Sequence, residues 1–332
     1  GRRMQTWYER DADLAVIRGR RVGVLGFGAQ GRAHALNLRD SGVDVTVGLR
    51  PESPARSACA ELGLPAASPE ALAEACDVVV MLVPDEAQPV VYRDALHERL
   101  RPGSALMFAH GYNIHYGNIE PRADLAVLMV APLGIGDKVR ATYEKGAGTP
   151  ALLAIHADPA GDALALGLSY AAANGHGRAG IIETSFSEET ETDLFAEQAV
   201  LCGGLTHLIT AAFDTLHDAG YPAELAYLSC LHEVKLMADM MHVRGIAGMR
   251  RSISSTAEFG DYRCGPRIIN DASRAAMRDM LGEIRSGAFA RDLAAEAEAG
   301  FPSLARGRAA AESHPIEAVG ARLRAMMPWL DR

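Results

Sequence analysis

Cysteine is scarce and scattered. The five residues Cys59, Cys76, Cys202, Cys230 and Cys264 are an odd number with no Cys-x-x-Cys spacing. This excludes a disulfide scaffold and a four-cysteine zinc site, and fits reduced thiols in a cytoplasmic protein. Positive charge is also short: 33 Lys plus Arg face 42 Asp plus Glu, a net charge of −9. No dense basic run offers a footprint for a phosphate backbone, so nucleic acid is not an expected partner. No unbroken apolar run approaches the ~18 residues of a membrane span, and the N-terminus lacks the apolar stretch of a signal peptide. Neither a membrane nor export is expected. Gly1-Arg2-Arg3 precede Met4 and are left out of the fold reasoning.

What is present is material for two domains, since 332 residues exceed what one core normally organises. Apolar residues at 48% and charged residues at 23% are globular proportions, which excludes disorder. In the first half, short apolar runs at Arg21–Leu25, Val43–Val47, Asp77–Val83, Ala105–Ala109, Ala126–Ala131, Ala151–Ile155 and Ala179–Ile182 read as strands. Helical stretches at Gly31–Asp40, Pro69–Ala75, Gln88–Leu100 and Asp162–Ala173 separate them. The alternation specifies an α/β domain with a mostly parallel, doubly wound sheet over residues 1–184. Beyond Thr184 the period turns helical through Glu188–Leu201, Leu205–Ala219, Ala223–Val243, Ile269–Ser286 and Phe289–Ala299. Residues 185–330 are therefore expected to form an all-helical second domain, packed closely on the first because no Pro/Gly linker separates them.

The first strand runs into Gly26-Phe27-Gly28-Ala29-Gln30-Gly31 and then a helix. This strand–turn–helix setting is where a Gly-x-Gly-x-x-Gly run cradles a dinucleotide pyrophosphate at a helix N-terminus. An NAD-specific chain offers an acid to the ribose at the end of the second strand. Here that strand ends in Leu49-Arg50-Pro51-Glu52-Ser53, and Arg50 with Ser53 suits a 2′-phosphate. NADPH is the expected cofactor, with NADH the alternative because Glu52 opposes the phosphate if it turns inward and Ala55 has no hydroxyl. In the helical half, Asp193 and Glu197 stand one turn apart and can share a hard divalent ion, and Glu233 is a further candidate ligand. A pair of acids at this spacing is more often a solvated face, so spacing alone does not decide.

Several segments carry a resemblance. Phe27-Gly28-Ala29-Gln30-Gly31-Arg-Ala-His-Ala-Leu-Asn-Leu, Val83-Pro84-Asp85-Glu86-Ala87-Gln88, Phe108-Ala109-His110-Gly111-Tyr112-Asn113, Glu189-Thr190-Glu191-Thr192-Asp193-Leu194-Phe195, Gln198 to Gly204 and Ser252-Ile253-Ser254 follow one another at the family's spacing. In order and spacing the chain resembles ketol-acid reductoisomerase of the short class over nearly its whole length. The resemblance implies a Rossmann N-terminal domain and a knotted helical C-terminal domain that makes a homodimer, or a larger assembly of dimers, and completes the active site. It implies alkyl migration followed by NADPH reduction, with magnesium ions held by Asp193, Glu197 and Glu233 and the substrate carboxylate met by Ser254. His110 falls on the family's active-site histidine. Gly26, Phe27, Gly28, Ala29, Gln30, Arg50, Ser53, Asp85 to Gln88 and Gly136 fall on nucleotide-contacting positions.

Two departures lie in the chemistry. The family has Lys where this chain has Leu133, with Pro in place of Ile135, and Glu where it has Ser229. One cation and one anion are absent together, which keeps the net charge of a low-dielectric pocket unchanged. A leucine shuttles no proton and a serine is a weak magnesium ligand, so one ion is expected rather than two. Hydride transfer asks for less than migration does. The expectation is a reductoisomerase-like NAD(P)H reductase of a small molecule's C=O or C=N bond that no longer migrates an alkyl group. An authentic ketol-acid reductoisomerase converting acetolactate to dihydroxyisovalerate is the alternative; a silent nucleotide-binding protein is a second, against which the retained acids argue.

Overall fold

A computed structural model describes residues 1–330. Two compact units divide the chain, Gly1–Thr190 and Glu191–Arg332. In the first, nine strands form one sheet: β1 (Thr6–Trp7), β2 (Arg21–Leu25), β3 (Asp44–Gly48), β4 (Ala66–Ala67), β5 (Val78–Met81), β6 (Ala105–Phe108), β7 (Ala126–Pro132), β8 (Ala151–Ala157) and β9 (Ile181–Glu183), in the order β1-β9-β8-β7-β6-β5-β2-β3-β4. The β7–β8 and β1–β9 pairs are antiparallel and the rest parallel. All seven expected strands are present, shifted by a few residues at their ends. The two that sequence reading missed, β1 and β4, are two residues long and carry no periodic signal.

The strands are apolar on both faces because helices cover both, as Val22, Val24, Val78, Val80, Leu106, Met107, Leu128 and Met129 show by their complete or near-complete burial. From β2 the chain turns one way to β3 and later returns on the other side as β5. The crevice between the carboxyl ends of β2 and β5 is therefore the topological switch point, where doubly wound sheets bind their ligands.

The second unit is all helical among its described residues. Its buried cluster is small: Phe213, Ala226, Tyr227, Ile316, Val319 and Leu323 tie the C-terminal helix Pro315–Ala325 to helices Gly203–Asp218 and Ala223–Tyr227. Helices Ser255–Ile268, Pro302–Ser313 and Pro315–Ala325 were not anticipated. The last two open on proline, which suits the first helical turn, and the first keeps Pro266 near its end. Two expected helices contain a π turn, at Glu197–Leu201 and Leu228–His232.

One expectation needs correction. The continuous helical run Phe186–Asp218 contains an 18-residue window of mean hydropathy 1.4 and is long enough to cross a membrane, with only 6% of that window buried. An unbroken-run criterion overlooks it because Gln198, Thr206 and His207 interrupt the apolar residues, whereas an average tolerates them.

Phe213 is fully buried, stacks on His217 at 5.8 Å and meets the His314 ring edge-on at 5.8 Å. Phe213→Ala is expected to cost the second unit about 3–5 kcal/mol, seen as a lowered denaturation midpoint, while helix content in the folded baseline stays unchanged.

Candidate active site

The glycine loop is shaped by what a side chain would strike. Gly26 has φ +95°, and a Cβ there would lie 2.7 Å from the Leu82 carbonyl oxygen; one at Gly31 would lie 2.3 Å from the Gly26 carbonyl oxygen. These two glycines let strand, turn and helix close tightly. Gly28 is different: a Cβ there would meet nothing within 4 Å. It caps helix Ala29–Asp40, so open space lies where that helix's unpaired N–H groups point. A dinucleotide pyrophosphate fits this cradle, since it brings charge to the positive end of a twelve-residue helix.

A second loop presses on the first. A Cβ on Gly136 would sit 2.2 Å from the Ala29 carbonyl carbon and 2.6 Å from the Gln30 nitrogen, and the Gln30 amide donates to the Gly134 carbonyl oxygen at 2.9 Å. On either side of Gly134, Leu133 and Ile135 project outward, 49% and 75% exposed. The strand β7 that delivers them ends at Pro132, where Leu133 N bonds the Pro150 carbonyl at 2.9 Å.

At the end of β3, Arg50 and Glu52 are exposed, and Ser53 Oγ accepts a bond from the Ala55 N–H at 3.3 Å. Arg56, which sequence reasoning did not single out, donates from its guanidinium to the carbonyls of Arg50 at 2.9 Å and Leu49 at 3.0 Å. A cation is thus fixed at the end of β3, and Glu52 is exposed. After β5, Gln88 is buried and its side chain ties two segments together: it donates to the Val83 carbonyl at 3.0 Å and accepts at 2.9 Å from Asn113, which follows β6. These bonds hold the Val83–Gln88 turn in shape. Asp85 sits in that turn, and burial raises its carboxyl pKa while the nearby His110 pulls it the other way.

His110 follows β6 and meets Glu189. The Nδ1 atom lies 2.9 Å from Glu189 Oε1 and 3.1 Å from Oε2, and the Gly111 N–H donates to Oε2 at 2.7 Å. The Glu189 side chain is 6% exposed. A carboxylate in this position fixes the imidazole's orientation. Glu189 was missed as a site residue because its partner is 79 positions away; the available signal was its place one turn before Asp193 on the same helix. No side chain fits at Gly111, where a Cβ would lie 2.6 Å from Thr190 Oγ1.

In the second unit, Asp193 and Glu197 lie one turn apart, and Glu197 opens the π turn Glu197–Leu201. Ser229 lies inside the π turn Leu228–His232 and Glu233 directly follows it; both are exposed. Such turns are frequent at functional sites because the extra residue re-aims the side chains around it. Ser254 is exposed and caps helix Ser255–Ile268, its Oγ accepting from the Ala257 N–H at 3.1 Å. Oxygen donors on Asp193, Glu197 and Glu233 are the type magnesium takes; the leucine and serine positions add no donor of that strength. Gly136→Ala is expected to push the Ala29–Gln30 peptide out of place and weaken nucleotide binding about tenfold, measured by titration with NADPH. Unchanged affinity would show that the two loops do not depend on each other.

Residues 16–180 match the model "Acetohydroxy acid isomeroreductase, NADPH-binding domain" and residues 186–329 match "Ketol-acid reductoisomerase, C-terminal domain". An NADH-preferring ketol-acid reductoisomerase from an uncultured archaeon is 38% identical, with 97% of this chain and 99% of that one covered at a TM-score of 0.93. A putative oxidoreductase from Jannaschia sp. CCS1 (16% identity, 81% and 97% covered, TM-score 0.61) shares the fold alone. The same holds for a semialdehyde dehydrogenase NAD-binding protein from Cupriavidus necator (21% identity, 80% and 99% covered, TM-score 0.61). The chain belongs to the ketol-acid reductoisomerase family, and is an NAD(P)H-dependent oxidoreductase.

Proposed function

We propose that this protein reduces a C=O or C=N bond of a small molecule and does not carry out the alkyl migration. The observation that carries the reading is Leu133, half-exposed at the rim of the nucleotide loop and followed by the more exposed Ile135, where the family pattern places a lysine and a proline. Two apolar side chains there repel water and provide no proton. The dihydronicotinamide, when bound, supplies the hydride.

His110 and Glu189 supply the rest. With Nδ1–H held by the buried carboxylate, protonated His110 can donate from Nε2 to an oxygen that gains charge during reduction, and Glu189 stabilises the imidazolium beforehand. An iminium substrate needs no such proton: hydride addition leaves a neutral amine. Asp193 and Glu197 would hold one magnesium ion, whose Lewis acidity would polarise a carbonyl oxygen. NADPH is the proposed nucleotide, supported by the Arg56 cation fixed at the end of β3 and by the outward Glu52.

We also propose a homodimer. Leu201, Leu225, Leu236, Val243, Ile246 and Phe259 are each more than half exposed in the second unit, whose own core is small. A second copy would cover them, including the apolar helical run that is long enough for a membrane.

One observation favours the second reading, an authentic ketol-acid reductoisomerase: 38% identity to such an enzyme over 97% of the chain. Two assays separate the two. With NADPH and magnesium, the proposal expects reduction of an already rearranged 3-hydroxy-2-keto acid or of a cyclic imine, and acetolactate turnover lower by at least ~1000-fold. Acetolactate turnover equal to that of the rearranged acid would refute it. Leu133→Lys with Ser229→Glu is expected to raise acetolactate turnover when combined and not singly. Glu189→Gln should cut ketone reduction by about 10²–10⁴ and imine reduction by much less, a split that a merely structural glutamate would not produce.

A further inference from the structure

The glycine loop rests on a buried polar chain that the reaction does not use. His34 and Tyr170 are both fully buried. His34 Nδ1 lies 2.6 Å from the Tyr170 hydroxyl oxygen, and His34 Nε2 lies 3.1 Å from Gln30 Oε1. The same Gln30 side chain donates from Nε2 to the Gly134 carbonyl at 2.9 Å. The chain runs from the helix Ala163–Ala173, through the helix that follows the glycine loop, to the loop bearing Leu133 and Ile135.

Every proton in it is determined from one end. The Gly134 carbonyl only accepts, so the Gln30 NH2 faces it and the amide oxygen faces His34. His34 therefore carries its hydrogen on Nε2, its Nδ1 is a lone pair, and the Tyr170 hydroxyl donates to that lone pair. Burial, helped by neighbouring His176, lowers the His34 pKa to about 3, which keeps the ring neutral in this state.

We propose that His34 and Tyr170 are positioning residues for the nucleotide: together they orient the Gln30 amide so that the two loops are locked before the cofactor binds. Removing the Tyr170 hydroxyl leaves the buried Nδ1 lone pair without its donor, and the imidazole is then held only through Nε2. A ring anchored at one nitrogen orients the Gln30 amide less firmly, which loosens the Gln30–Gly134 bridge between the two loops. The proposal rests on the dinucleotide role of the glycine loop and not on the choice of reaction, and its readout is binding without turnover.

NADPH titrated into Tyr170→Phe and His34→Gln is expected to bind about fivefold more weakly than to the parent protein, the effect of one lost hydrogen bond. Leu38→Val, a buried change on the same helix, serves as the stability control and should leave the affinity within twofold. Unchanged NADPH affinity in Tyr170→Phe, or an equal loss in Leu38→Val at the same fall in melting temperature, would overturn the proposal. Should the two variants fail to fold, ¹⁵N-histidine spectra of the parent protein decide. His34 should show the Nε2–H tautomer and no titration between pH 5 and 9, whereas an Nδ1–H tautomer overturns the proposal.

Discussion

Backbone against backbone is the constraint on which the nucleotide end depends. Gly31 lies under the Gly26 carbonyl, Gly26 under the Leu82 carbonyl, and Gly136 against the Ala29–Gln30 peptide, each at a distance no side chain permits. Three segments far apart in sequence are thereby fixed to one another by steric exclusion, which side-chain rotation cannot relax. Gly28, the one glycine of the loop with open space beyond it, is left for a ligand. The fold supplies this arrangement at its switch point, and the Gln30 bridge to Gly134 extends it to the residues that distinguish this chain from its family.

The redox half and the rearranging half of the family's chemistry have different demands. Reduction needs a held nicotinamide, one stabiliser of developing charge and a water-poor pocket. On the proposed reading the glycine cradle holds the nucleotide and the His110–Glu189 pair stabilises the developing charge. Migration needs a deprotonated alcohol beside a strongly polarised ketone, which calls for two Lewis acids and a proton shuttle. Leu133 and Ser229 stand where the shuttle and one strong ligand are expected, so the proposed division follows the chemistry.

Most of the sheet was legible because both faces of its central strands are buried and read as unbroken apolar runs, such as Val78–Met81 and Ala126–Ala131. The glycine loop was legible because its sequence and its steric requirement coincide. The strands β1 and β4 were not, being too short for any period, and the helices opening on Pro302 and Pro315 were not, because proline reads first as a breaker. Around the candidate site the sequence singles out His110, Asp193 and Glu197 and passes over Glu189, Arg56 and the His34–Tyr170 pair. Each of the latter acts through a partner that only the tertiary fold brings near, and neither local spacing nor composition marks such a partner. The π turns beside Glu197 and Glu233 were also invisible, since a single extra residue does not disturb an apolar stripe enough to be noticed.

The central claim is that substituting a lysine–glutamate couple by leucine and serine removed the second metal site and left the reducing apparatus intact. A crystal structure of the protein with magnesium and NADPH tests it most directly. One ion on Asp193 and Glu197 is the expected result, with nicotinamide ordered beside Leu133. Two ions bridged by Asp193, one of them also held by Glu233, would contradict it.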